Sequence, residues 1–375
     1  MPWFQIFQDG PEYEARKRRG KFTPPVVSLK QLRDAVPHHL FERSTTKSLA
    51  HMFRHFVIIL WLLYWGWQGI AFAGRLIYLF QAGHNALSSH TLVNTAIGLT
   101  VHTLVLTPYY SWRVTHNTHH KSTNNIDRDE TYVPQTRQDF KLPDDKVTVR
   151  MDYAHILEET PAYTLFKLFV RQFFGFQLYL LHNRKGNPRY PPGTSHYKPS
   201  SKLFRPKDRL SILFSNIILL TFLTLLIHFS YLHGWFFLWN HYFLPWLGSI
   251  VLFTYLQHSD PTIPYYRKDQ WTFARGALAT VDRPLFGWVG RFFLHNISSD
   301  HVAHHFFPTV PFYNLPEVTK AIKPVLGDYY NYDSTPALYA LWRSFTQCTF
   351  VEPEGDILFF KNQYGEALVT PNFES

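Results

Sequence analysis

The sequence predicts an all-α integral membrane protein: one or more transmembrane helical hairpins, helices lying in the membrane interface, and a histidine-rich cytosolic cap. Three observations predict it. Apolar runs recur at about 56–80, 93–112, 161–181, 210–232 and 235–257. Aromatic side chains make up 18% of the 375 residues, and Trp and Tyr are the rings that anchor at headgroup depth. Outside the most apolar runs stand two H-x-x-H-H clusters, His116, His119 and His120, then His301, His304 and His305. Residues at i, i+3 and i+4 share one helix face, so each cluster is expected to aim three imidazoles at one point, and two such faces could hold two metal ions.

The formal charge of +10 would suit nucleic acid, but the Lys and Arg residues are dispersed beside apolar runs, and anionic lipid is the better partner. Cys348 is the single cysteine among these residues, which excludes an intrachain disulfide framework and a Cys-rich metal site. Histidine, with 21 copies, is the metal-capable residue. Met1 to Gly20 is polar and basic with no apolar core, so no cleaved signal peptide is expected.

Residues 1–50 read as a cytosolic N-terminal arm, exposed and basic over 1–27, and 51–375 as the membrane-embedded domain. Ser28, with Gln31 three positions on, opens a short amphipathic helix in the capping-box arrangement and Pro37 ends it. The run 56–80 is long enough to cross a bilayer once and too short for two crossings, since each span needs about 20 residues. Arg75 inside it is costly, roughly 2.5–3.5 kcal/mol at mid-bilayer. The run 93–112 carries Asn94, His102 and Pro108 and is expected to dip into the membrane without crossing. Residues 113–160 read as hydrophilic and loop-like. Lys167, Arg171 and Gln172 mark 161–181 as a helix lying in the interface. The runs 210–232 and 235–257, joined at Gly234, supply a two-span hairpin. The segments 113–160 and 259–375 form the cap, with a strand-like pair at Thr349–Phe350 and Ile357–Phe360.

Both histidine clusters must lie on one membrane face to build one centre, and the 210–257 hairpin satisfies this. His84 must join them to serve as a ligand. A basic cytosolic N-terminus and a single crossing at 56–80 would put His84 on the far side, so 56–80 is expected to be bent or re-entrant.

Imidazole suits Zn, Cu, Fe and Ni and does not name the metal. Six to nine histidines exceed the four ligands of one structural zinc and match two ions with open positions. Two ferrous ions beside an apolar channel would suit attack on an unactivated C–H bond of a lipid chain. The candidate metal ligands are His84, His116, His119, His120, His258, His301, His304 and His305, with His295 a further candidate. Asp129, Asp282 and Asp300 are candidates for orienting them. Isolated histidines such as His51, His55, His102, His182, His228 and His241 read as surface or helix-end residues. A zinc-binding transporter would need polar residues along a membrane path, and the hairpin offers little beyond Asn216 and Asn240.

From about Leu29 to Lys361 the chain resembles the membrane fatty acid desaturases of the microsomal delta-12/omega-3 group. The resemblance is carried by F-E-R-S at Phe41–Ser44, P-Y-Y-S-W-R-V-T-H-N-T-H-H at Pro108–His120, R-D-E-T-Y-V-P at Arg128–Pro134, T-Y-L-Q-H at Thr254–His258, R-G-A-L-A-T-V-D-R at Arg275–Arg283 and H-N-I-S-S-D-H-V-A-H-H at His295–His305. It implies a di-iron centre on the cytosolic face of the endoplasmic reticulum and an acyl-lipid substrate. It also implies electrons from cytochrome b5 and its reductase; a desaturase oligomer is a further candidate partner. No H-P-G-G haem motif occurs here, so the cytochrome is expected to be a separate protein. The chain departs from the family at the first box. Where members carry H-E-C-G-H, this one has Phe80, Gln81, Ala82, Gly83 and His84, so phenylalanine replaces one expected ligand. The resemblance implies a delta-12 acyl desaturase. Hydroxylase or acetylenase chemistry and a form silenced at Phe80 are the alternatives.

Overall fold

The computed structural model describes residues 6–64, 81–145, 147–157, 159–243 and 252–372. Phe80 and Arg75, and with them most of the bend expected at 56–80, lie outside the described residues. The described chain is mostly helical, with only two-residue strands.

The N-terminal arm is not an exposed tail. Helix α1 (Pro11–Arg19) starts on proline, whose fixed φ suits the first helical position, and buries Tyr13 and Arg16 while Lys17, Arg18 and Arg19 stay exposed. A basic string reads as solvated because its acidic partners are remote: Arg16 meets Asp260 at 3.5 Å. The strand β1 (Lys21–Phe22) pairs with β4 (Thr370–Pro371), closing the chain's two ends on each other. Helix α2 (Leu29–Ala35) has the capping box expected at Ser28 and Gln31 and buries Leu32. Helix α3 (Thr45–Tyr64) turns Phe53, Phe56 and Trp61 outward and His55 inward.

The apolar run after His90 breaks in two. Helix α4 (Thr91–Thr103) has 13 residues, about 20 Å at 1.5 Å per residue, too short for a hydrocarbon core of about 30 Å. Leu106 is left-handed (φ 54), and Pro108 then opens α5 (Tyr109–Ser122). The expectation of a loop-like 113–160 is therefore corrected: α5 runs to Ser122 and α6 spans Arg150–Leu157. In α5 the polar Ser111, Thr115, His119, His120 and Ser122 are buried, which is why its apolar pattern is weak, whereas α6 buries Tyr153 and Leu157 and exposes Arg150.

Helix α7 (Pro161–His182), capped by the Thr160 hydroxyl, exposes Leu165, Phe166, Phe169 and Phe174, the surface of a helix lying against lipid. Helix α8 (Arg209–His233) packs on α4 and α5. With its lead-in turn it forms the one described helix long and apolar enough to cross a membrane, Pro206–His233, 28 residues. After Gly234 (φ 83) come α9 (Trp235–Leu238) and a π turn (Trp239–Phe243). Helix α10 (Leu252–His258) then returns to the cap, with His258 as its last residue.

The cap is built from α11 (Phe273–Leu278), α12 (Gly287–Phe293), α13 (His301–Phe306), α14 (Leu315–Leu326) and α15 (Ala337–Gln347). Its core joins Leu256, Leu278, Val302, Ala303, Leu315, Val318 and Ile322 to Leu32 of α2. The expected strand pair is rearranged. Phe350 and Lys361 form one bridge, whereas β3 (Ile357–Leu358) pairs antiparallel with β2 (Tyr265–Tyr266).

Candidate metal centre

Helix α5 brings His116, His119 and His120 to the inner end of the cap, α10 ends on His258, and α13 presents His301, His304 and His305. His84 follows the helical turn at 81–83. Its approach depends on Gly83, where a Cβ would lie 2.6 Å from the Trp112 ring. That ring stacks on His116 at 4.1 Å.

The eight imidazoles converge, but not as two triads. His84, His116, His120 and His304 form one set, and His119, His258 and His305 a second, with the ligand atoms of each set within 4.8 Å of one another. His301 closes the second set, its Nε2 3.0 Å from that of His258 and 3.1 Å from that of His305. Each H-x-x-H-H box is thus divided. At about 100° per residue, i and i+4 point only about 40° apart while i+3 lies about 100° from i+4. The i, i+4 pairs His116/His120 and His301/His305 therefore stay together and the middle histidine of each box crosses to the other set.

The ring orientations are fixed from behind. His119 Nδ1 meets Asp129 Oδ1 at 2.6 Å and Thr131 Oγ1 at 2.9 Å. His84 Nδ1 meets Asn117 Oδ1 at 3.1 Å, His301 Nδ1 the Ile297 carbonyl at 3.0 Å, and His305 Nδ1 the Thr123 hydroxyl at 3.1 Å. A proton held at Nδ1 leaves the Nε2 lone pair free to face inward. Burial pushes His84 and His301 down to about 3, and drives His116, His120, His258, His304 and His305 well below the ordinary histidine value. These rings are neutral at physiological pH, the state that binds metal.

These residues fit metal ions. Nε2 of His84 and both ring nitrogens of His304 are buried with no hydrogen-bond partner among the described residues, an arrangement folded proteins avoid. Nε2 atoms face each other at 3.2 Å (His116/His120) and 3.4 Å (His119/His258). Imidazole bonds of about 2 Å to one divalent ion put neighbouring ligand nitrogens about 3 Å apart. A cation in each set would take one inward-facing nitrogen from each ring, Nε2 of His84 and one nitrogen of His304 among them.

His295 is elsewhere. Its Nε2 lies 3.0 Å from that of His55, and its ring packs on Phe312. Asp129 supports a ring directly. Asp282 instead accepts the Val302 N–H at 2.7 Å and the Tyr330 hydroxyl at 2.5 Å, holding the start of α13. The Asp300 carboxylate faces Arg291 at 3.2 Å. Sequence reasoning missed Asn117, Thr123 and Thr131. Asn117 stands inside T-H-N-T-H-H, one residue after a candidate ligand, which was its only signal.

The family model described as fatty acid desaturase matches residues 59–336. This chain belongs to the fatty acid desaturase family. The desaturase is 36% identical over 366 residues to a delta(12) fatty acid desaturase of Mortierella isabellina, covering 90% of this chain and 91% of that one. It is 33% identical to an oleate hydroxylase of Claviceps purpurea (91% and 82% covered). It is also 34% identical to an endoplasmic reticulum omega-6 fatty acid desaturase of Brassica juncea (92% and 92%).

Proposed function

We propose that this desaturase is an oxygen-dependent di-iron enzyme that places a delta-12 double bond in a lipid-linked acyl chain. It would work at the endoplasmic reticulum membrane with its centre on the cytosolic side and draw electrons from cytochrome b5. The observation that carries the reading is the convergence of eight imidazoles in two sets of four on this family's scaffold. His84, His116, His120 and His304 would hold one iron, and His119, His258, His301 and His305 the other. Bound there, the irons would supply the oxidising power needed to remove hydrogen from an unactivated C–H bond.

The chain's own residues do the rest. Asp129, Asn117, Thr123 and the Ile297 carbonyl hold the Nδ1 protons and aim the rings. Trp112 and Tyr132 cover the site, the latter stacked on His258 with ring centroids 5.6 Å apart, and keep water from it. The outward aromatic face of α7 and the apolar α8 keep the enzyme at the bilayer from which an acyl lipid would enter.

A second reading, an acyl hydroxylase, is favoured by the similarity to the Claviceps purpurea oleate hydroxylase. Expression in a yeast lacking polyunsaturated lipids, with fatty-acid profiling, separates the two. A new double bond at position 12 supports the desaturase and a hydroxylated chain the hydroxylase. Absence of both products in the wild type and in Phe80→His rejects both readings. Phe80→His is expected to raise iron content and product yield; no change in either means that the eight imidazoles suffice.

A further inference from the structure

A buried arginine outside the histidine sets ties two of their elements together. Arg283 is 1% exposed, and its side-chain hydrogen bonds go to Leu256, Asp260 and Asp333 rather than to a candidate ligand's ring. Its Nε donates to the Leu256 carbonyl at 2.8 Å, two residues before His258, and its Nη2 to Asp260 Oδ2 at 2.8 Å, two residues after. Its Nη1 is anchored on Asp333, which Arg343 also holds. The same residue's backbone is bound on the other side: its N–H donates to the Ser298 carbonyl at 2.8 Å and its carbonyl accepts from the Ser298 hydroxyl at 2.9 Å. That hydroxyl accepts in turn from Gln257 Nε2 at 2.7 Å. One residue thus brackets His258 and pins the loop that leads into His301 and His305.

We propose that Arg283 is a positioning residue for the second histidine set alone, setting the distance from His258 to His301 and His305. A planar guanidinium with donors in three fixed directions can satisfy Leu256, Asp260 and Asp333 together, and a lysine ammonium on its flexible stem cannot. Loss of an outer partner of this kind typically weakens metal binding about 10–100-fold. The first set receives only His304 from this region, and His84, His116 and His120 are held from other elements, so its ion is expected to stay.

The inference rests on the reading of the two sets as metal sites, and the test separates the two. Full-length Arg283→Lys in detergent micelles is reconstituted with ferrous iron, and release to 2,2′-bipyridyl is followed alongside circular dichroism. The expected result is an unchanged helical spectrum and biphasic release, one iron leaving at least about tenfold faster than in wild type and the other at the wild-type rate. Ile212→Ala, which destabilises α8 away from Arg283, should release both irons together. Should Arg283→Lys not fold, Ser298→Ala removes the hydroxyl's bonds to the Arg283 carbonyl and Gln257 without changing charge, leaves the main-chain bond in place, and is expected to show the same split, less pronounced. Release of both irons at the wild-type rate, or both equally accelerated as in Ile212→Ala, overturns the role of Arg283. A wild-type chain that takes up no metal overturns the two-site reading and this inference with it.

Discussion

Asp129 is the side chain on which the aim of His119 depends. It is 2% exposed, and besides the His119 ring it accepts the Asn124 N–H at 2.8 Å. Truncation at Asp129→Ala should lower metal affinity about 10–100-fold, measured by competition with a chelator, while a change at exposed Lys121 should leave it unaltered. An Ala variant with wild-type affinity would show that Thr131 alone holds the ring. The six candidate ligands of the two boxes were legible in the sequence because i, i+3, i+4 spacing puts imidazoles on one side of a helix. Their division into sets was not. Helical spacing separates the i+3 histidine from its i, i+4 partners, but which set it joins depends on how α5, α10 and α13 cross, and His258 joins His119 from 139 residues away. His55 and His295 illustrate the converse, since their pairing joins positions 240 residues apart that no local pattern connects.

At the scale of elements, what the sequence revealed was local. The Ser28 to Gln31 capping box is a contact across three residues, and it is present in α2 as expected. Ser28→Ala should cost about 1 kcal/mol, read as a lower thermal midpoint with metal content unchanged; loss of metal at the same time would mean that α2 reaches the centre. A register change inside α5 should do the opposite. One alanine inserted after Asn117 rotates His119 and His120 by about 100° relative to His116, so metal content should fall while helical content holds. Elements defined by distant partners were misread. The basic run of α1 looked solvated, yet Arg16 reaches Asp260 and Arg343 lies over the Tyr13 ring at 3.5 Å. Ile357 and Leu358 looked ready to pair with their neighbours, and instead found Tyr265 and Tyr266 across more than 90 residues.

At the scale of the whole molecule, the cap buries imidazoles that a solvated chain would protonate near pH 6.5, and this sets how stability responds to acid. With His84 and His301 pushed down to about 3, and His120, His258, His304 and His305 also well below the ordinary value, the unfolded chain binds more protons than the folded one below pH 6.5. Stability therefore rises with pH up to about 6.5, is fully present above it, and is lost as pH falls toward the folded values. Each such histidine contributes up to about 1.4 kcal/mol per pH unit inside that window. For the metal-free protein in detergent, the thermal midpoint should be flat from pH 8 to 7 and fall steeply between 6 and 5. Bound metal should deepen the fall, because each ligand nitrogen that gains a proton releases its ion. A midpoint that is level down to pH 5 in both forms would mean that water reaches these rings, and the dry, neutral centre on which the proposed chemistry depends would have to be given up.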